Sequence, residues 1–159
     1  MIKLFFLQLL LIPILSFTQA GFFKLGNDIN GEAVGDESGI SVGINSSGNR
    51  IAIGAHKNDG NGSNSGHVRI YEDVGGNWIQ MGSDIDGETM SDKFGKSVDM
   101  NSAGDRVVVG AWFAASAFLP IGSGQISCYE FSNGSWNQLG NYINGEATFD
   151  YFGISSAIN

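Results

Sequence analysis

Carboxylates recur along this chain at the joints between its longer segments. Asp28, Asn30, Glu32 and Asp36 form one group, Asp84, Asp86, Glu88 and Asp92 a second, and Asn144, Glu146 and Asp150 a third. Two chemistries use residues of this kind. A dense set of oxygen ligands can hold calcium, which takes about six to eight of them, and a pair of carboxylates can flank a glycosidic bond. The alternative is that Asp and Asn, with their companions Gly31, Gly87 and Gly145, build turns and bond the turn backbone. Recurrence itself argues against catalysis, because a single active site would break the symmetry.

Difference between the recurring segments is the better guide to function. After one strand the chain reads His56-Lys-Asn-Asp-Gly-Asn-Gly-Ser-Asn-Ser65, fully polar. At the corresponding place it reads Trp112-Phe-Ala-Ala-Ser-Ala-Phe-Leu-Pro-Ile-Gly-Ser123, longer and strongly apolar. Trp112, Phe113, Phe118, Leu119 and Ile121 are therefore a candidate partner-contact loop if exposed. The competing expectation is that they cover a neighbouring unit. Cys128 is the single cysteine, so no internal disulfide is available. It lines up with Ile70, which points to a small buried apolar position rather than a nucleophile. Neither His56 nor His67 has a histidine counterpart one copy away. No catalytic, cofactor-binding or metal-ligating residue is assigned, and the reading is not that of an enzyme. The one residual cation expectation is calcium at the joint acids.

The elements that position these residues follow from a repeat. Asp36–Ala55 shifted by 56 positions onto Asp92–Ala111 is identical at 10 of 20 places, with Ile51/Val107 and Ile53/Val109 near matches. A third copy opens at Asp150-Tyr-Phe152-Gly153. A period of this length signals an array of supersecondary units. Within one unit, Ile40, Val42 and Ile44 alternate with small residues, as a half-buried strand does. Asn45-Ser-Ser-Gly48-Asn49 is a turn, and Arg50–Ala55 is the returning strand. Gly66–Glu72 follows with Val68 and Ile70 on one face and His67, Arg69 and Tyr71 on the other. Trp78–Ile85 is the fourth strand. The second unit runs Phe94–Met100, Arg106–Ala111, Gly124–Glu130 and Trp136–Ile143. Beyond the middle loop the offset becomes 58, pairing Tyr71 with Tyr129 and Trp78 with Trp136.

Four antiparallel strands per unit, with a tryptophan in each, point to an all-β fold built of β-propeller blades. A β-helix has much shorter coils, and a two-sheet sandwich gives no reason for the recurrence. The expected organisation is a lead strand over 22–29, a blade over 38–85, a second over 94–143 and the start of a third over 150–159. Propellers have about four to eight blades, so the expectation is a partial propeller of about two and a half blades, from a longer repeat protein that continues beyond Asn159.

Residues 1–20 carry a different signal. A basic lead at Lys3, an apolar run from Leu4 to Phe17 and small residues around Ala20 have the layout of a secretory signal peptide. The run is too short to span a bilayer, which takes about 20 apolar residues. Secretion or display at the cell surface is the expected destination. The chain has 16 acidic against 8 basic residues and a net charge of −8, which disfavours nucleic acid and anionic membrane surfaces. Its 24 glycines lie between short β-rich runs and mark tight turns rather than a flexible linker. Asn45, Asn61 and Asn133 stand in Asn-x-Ser sequons.

Phe94-Gly95-Lys-Ser-Val98 followed by Val109-Gly110-Ala111 resembles the FG-GAP repeat, the blade unit of integrin α-chain propellers and of many secreted bacterial proteins. The resemblance extends over nearly all of 21–159. It is nearest to an FG-GAP-like branch, through Ser65-Gly-His-Val-Arg-Ile-Tyr-Glu72 and through Trp78, Gln80, Gly82, Ile85, Gly87 and Glu88. It implies a propeller fold and extracellular interaction or adhesion rather than a defined catalysis. The implied partner is an extracellular protein or glycan, with self-association a further option. An alternative is a polysaccharide-binding or polysaccharide-degrading propeller whose site lies in blades outside this stretch. Three positions depart from the family pattern. Ser38 replaces its phenylalanine, His56 and Trp112 stand where it has proline, and the acid-rich calcium loop is replaced by Asn45–Arg50 and Asn101–Arg106. One carboxylate beside an arginine cannot supply a calcium shell.

Overall fold

The computed structural model describes residues 21, 23–115 and 122–159. Its strands are β1 (Ser41–Ile44), β2 (Arg50–Ala55), β3 (His67–Asp73), β4 (Trp78–Gln80), β5 (Ile85–Asp86), β6 (Phe94–Met100), β7 (Arg106–Ala111), β8 (Gln125–Ser132) and β9 (Ser135–Asn144). No helix occurs among the described residues. The strands form two antiparallel sheets, one in the order β1-β2-β3-β4 with β5 also on β3, the other β6-β7-β8-β9. The fold is all-β, as the alternation requires.

Local chemistry explains the hairpins. Asn45 Oδ1 accepts the backbone N–H groups of Asn49 and Arg50 at 3.1 and 3.0 Å. Asn101 Oδ1 does the same for Gly104, Asp105 and Arg106. Each asparagine therefore closes its own turn with its side chain, and Gly104 supplies the positive φ of 76° that the turn needs. Across the strands that follow, Arg50 and Arg106 reach Glu72 and Glu130 with the same two guanidinium nitrogens.

The sheets stack, and glycine permits the close approach. A Cβ at Gly54 would lie 2.1 Å from the Gly95 carbonyl oxygen, and one at Gly110 would lie 1.9 Å from that of Gly153. Beside these contacts Ser41 Oγ donates to the Gly95 carbonyl at 2.8 Å and Ser97 Oγ to the Gly153 carbonyl at 2.9 Å. Parallel bridges join Gly66 to Phe94 and Gly124 to Phe152. The core fills the joint between the sheets: Ala52, Val68, Ile70, Phe94, Val98, Met100, Val107 and Val109 belong to one buried cluster. Burying a valine or isoleucine in this way is worth about 1.5–3 kcal/mol each.

Four details differ from the sequence expectation. The apolar side of β1 is not half-buried, because no described residue covers it: Val42 and Ile44 are 53% and 54% exposed, whereas Val98 and Met100 are 6% and 4% exposed. Cys128 is only half-buried although its counterpart Ile70 is fully enclosed. Ile70 shares the core cluster with Phe94, Val98 and Met100 of β6, while no third sheet forms among the described residues to enclose Cys128 in the same way. The fourth strand of the first sheet is broken into β4 and β5, whereas β9 runs on with a register shift opposite Ile126/Cys128. The lead strand expected over 22–29 does not form: its described residues, 23–29, contain no strand, and the segment meets side chains of the first sheet. Trp78 Nε1 donates to the Leu25 carbonyl at 3.1 Å and Arg69 Nη2 to that of Asn30 at 2.8 Å.

Candidate functional site

Strand β7 ends at Ala111, and the chain turns immediately through Trp112 and Phe113. Both side chains are half-buried. They meet Tyr151, which follows the β9 strand and its turn. Trp112 lies 5.1 Å from the Tyr151 ring and 5.5 Å from Phe113, and Phe113 stacks on Tyr151 at 6.4 Å with an interplanar angle of 13°. Phe149 joins at 5.9 Å from Tyr151 and is 57% exposed. The result is a four-ring aromatic cluster contributed by two segments about 40 residues apart. Such ring geometries add about 0.5–1.5 kcal/mol per pair beyond burial. Trp112 Nε1 is buried without a hydrogen-bond partner among the described residues. Phe118, Leu119 and Ile121, the remaining members of the candidate loop, lie outside the described residues. The sequence singled out Trp112 and Phe113 but not Phe149 and Tyr151. Those two precede Gly153 in the third copy, where position 149 has Ser91 and position 151 has Lys93 one copy earlier.

The joint acids divide into two kinds. Asp36, Asp92 and Asp150 close turns: their carboxylates accept the backbone N–H of Ala33, Thr89 and Ala147 at 3.2, 2.8 and 2.7 Å. Burial pushes the Asp92 carboxyl above its ordinary range, against the opposing effect of two hydrogen bonds from Thr89. Asp28 pairs with Lys24 on the surface. Asp36, Asp92 and Asp150 thus serve the turns, as Asp does in loops generally.

Glu32 and Asp84 behave differently, because they converge on His67. His67 opens β3 and is 1% exposed. Its Nδ1 lies 3.7 Å from Glu32 Oε2 and 3.5 Å from Asp84 Oδ2. The neighbouring Asp86 carboxyl is pushed upward by burial and then by the charge of Asp84. In the second sheet the equivalent positions are Gln125 and Tyr142, and there Tyr142 donates its phenol to Glu88 Oε1 at 2.5 Å. Burial and that bond to Glu88 hold the phenol well above its usual pKa. The sequence placed Glu32 and Asp84 among the joint acids but did not join His67 to them. The available signal was that His67 and Asp84 become Gln125 and Tyr142 one copy on.

The other histidine, His56, is also enclosed, at 5% exposure. Burial depresses its pKa below the ordinary histidine value, and Lys96 adds to the effect while Glu37 opposes it. Of the sequon asparagines, Asn61 and Asn133 are exposed, whereas Asn45 is buried with its amide engaged in the turn.

The chain matches no model of a known protein family and no curated protein.

Proposed function

We propose that this chain is a segment of an FG-GAP-type β-propeller that works outside the cell as a noncatalytic interaction module. Its contact surface would be the aromatic cluster of Trp112, Phe113, Phe149 and Tyr151. That cluster is the observation that carries the reading. Aromatic rings grouped at a surface supply large, rigid contact area, and such residues dominate binding energy at interfaces. Support for the propeller comes from the joint between sheets. The serine-to-carbonyl contact of Ser41 with Gly95 recurs as that of Ser97 with Gly153, at nearly equal length. The tryptophan contact of Trp78 with Leu25 recurs as that of Trp136 with Met81. Successive blades of a propeller meet through one repeated geometry of this kind.

The partner is an extracellular protein or glycan, and secretion follows from the signal-peptide layout of residues 1–20. The test uses the secreted protein and a panel of immobilised fibronectin, collagen, chitin and cellulose. Retention on one member should fall about tenfold or more in Phe149→Ala and in Phe113→Ala. It should be unchanged in Ile79→Ala, which alters an exposed apolar residue elsewhere. Equal retention by all variants, or release of reducing sugar from either polysaccharide, would overturn the reading.

A further inference from the structure

We infer that Glu32, His67 and Asp84 form a binding site for a divalent transition-metal ion of the Zn2+ type. One ligand atom from each residue lies within 4.8 Å of the other two. The imidazole is enclosed, with its side chain 1% exposed, and its Nδ1 is aimed at the two carboxylates. Separations of 3.5 and 3.7 Å exceed the ordinary N–H···O range of about 2.7–3.2 Å. They suit ligands of one small cation instead. Nitrogen and oxygen ligands bind Zn2+ at about 2.0–2.2 Å, which places tetrahedral ligands about 3.3 Å apart.

The outer contacts of the two carboxylates sort their oxygens. Glu32 Oε1 faces Arg69 Nη1 at 3.8 Å, leaving Oε2 toward His67. Asn58 Nδ2 holds that oxygen from the side at 3.3 Å. Asp84 Oδ1 accepts Gln80 Nε2 at 2.6 Å, leaving Oδ2 toward His67. Each carboxylate is thus oriented by a neighbour and turns one oxygen inward, as the supporting residues of metal sites arrange their ligands. Two anionic oxygens and an imidazole lone pair converging on one point repel each other unless a cation lies between them. Two carboxylates and a neutral imidazole also match the charge of a divalent ion, and the single nitrogen favours zinc over calcium or magnesium. With Nδ1 as ligand, the ring proton sits on Nε2, which has no hydrogen-bond partner among the described residues. Three protein ligands leave a fourth position open to water or to a group from a partner.

The second sheet provides an internal contrast. Gln125 replaces the imidazole and Tyr142 replaces the second carboxylate, so the same place is closed by a phenol–carboxylate hydrogen bond. Among the described residues, only the first sheet carries the ligand set.

The experiment uses the full, tag-free chain after removal of metal with a chelator. Calorimetric titration with Zn2+ should give one ion per chain and a raised melting temperature. Co2+ in its place should give the visible absorption of a four- or five-coordinate site. Glu32→Gln and Asp84→Asn should each weaken Zn2+ binding about tenfold or more, and His67→Gln should remove it. Both carboxylates are partly exposed, so their variants report even where His67→Gln fails to fold. Glu146→Gln and Cys128→Ser should bind as the parent does. The inference fails if Zn2+ binds no tighter than Ca2+, if the carboxylate variants bind like the parent, or if Zn2+ leaves the melting temperature unchanged. The last result would show that the trio holds no ion in the folded chain. Metal binding is read independently of partner retention, so either proposal can fail alone.

Discussion

Trp136 Nε1 donates to the Met81 carbonyl at 2.8 Å, tying the outer strand of the second sheet to the outer side of the first. The indole is half-buried and packs on Phe131 with ring centroids 5.2 Å apart. Met81 is itself 7% exposed and belongs to the core. One side chain therefore joins two sheets by a hydrogen bond and by apolar packing.

Trp136→Phe keeps a ring against Phe131 and removes the donor. The buried Met81 carbonyl loses its partner, which costs about 1–2 kcal/mol. Urea denaturation should show a lower midpoint with an unchanged slope. Trp78→Phe should cost less, because its bond to Leu25 is solvent-exposed. Equal losses would mean that the two tryptophans play the same structural part.

A second prediction uses the unequal burial of Val42 and Val98, which occupy matching places on β1 and β6. Val98→Ala leaves a gap in the joint between sheets and should cost about 2 kcal/mol. Val42→Ala alters a side chain already largely in water and should stay within about 0.5 kcal/mol. Denaturation midpoints of the two variants give the comparison directly. If Val42→Ala proves as costly as Val98→Ala, the exposed side of β1 is covered in solution.

The third prediction concerns pH. The folded-state pKa of His56 lies below its unfolded value of about 6.5. As pH falls below that unfolded value, the unfolded chain takes up a proton before the folded chain does. Stability therefore declines toward the folded pKa and is restored above about pH 7. In chelator-treated protein, the parent should lose stability relative to His56→Gln as pH is lowered from about 7.5 to about 5. Groups common to both proteins, His67 among them, cancel in the difference. Thermal melts across that range measure it, and parallel curves would show that burial does not depress His56.

Much of the architecture was legible because local chemistry fixes it. The Asn45 and Asn101 turns, the alternation along β1 and β3 and the tryptophan of each unit were all visible in residue types. Alternation identifies an apolar side of a strand but not whether another sheet covers it, so the exposure of Val42 and Ile44 was not legible. The break between β4 and β5 escaped for a similar reason, since Trp78–Ile85 carries one continuous strand-like pattern. At the site, Trp112 and Phe113 stood out by contrast with His56 and Lys57. Tyr151 did not, because its meeting with them depends on how the third copy lies against the second sheet. The His67 trio required three segments to converge, two of them far apart along the chain, and no local pattern encodes that convergence.

The repeated serine-to-carbonyl joint has a direction: in both instances the serine belongs to the earlier copy of the repeat and the carbonyl to the later one. A stack made of such joints has two unlike ends, comparable to the two ends of a polar filament. Adding a unit to either end regenerates the end that was covered. Two copies brought together by this surface alone would meet head to tail, never as a twofold pair, and only curvature into a ring could stop further growth.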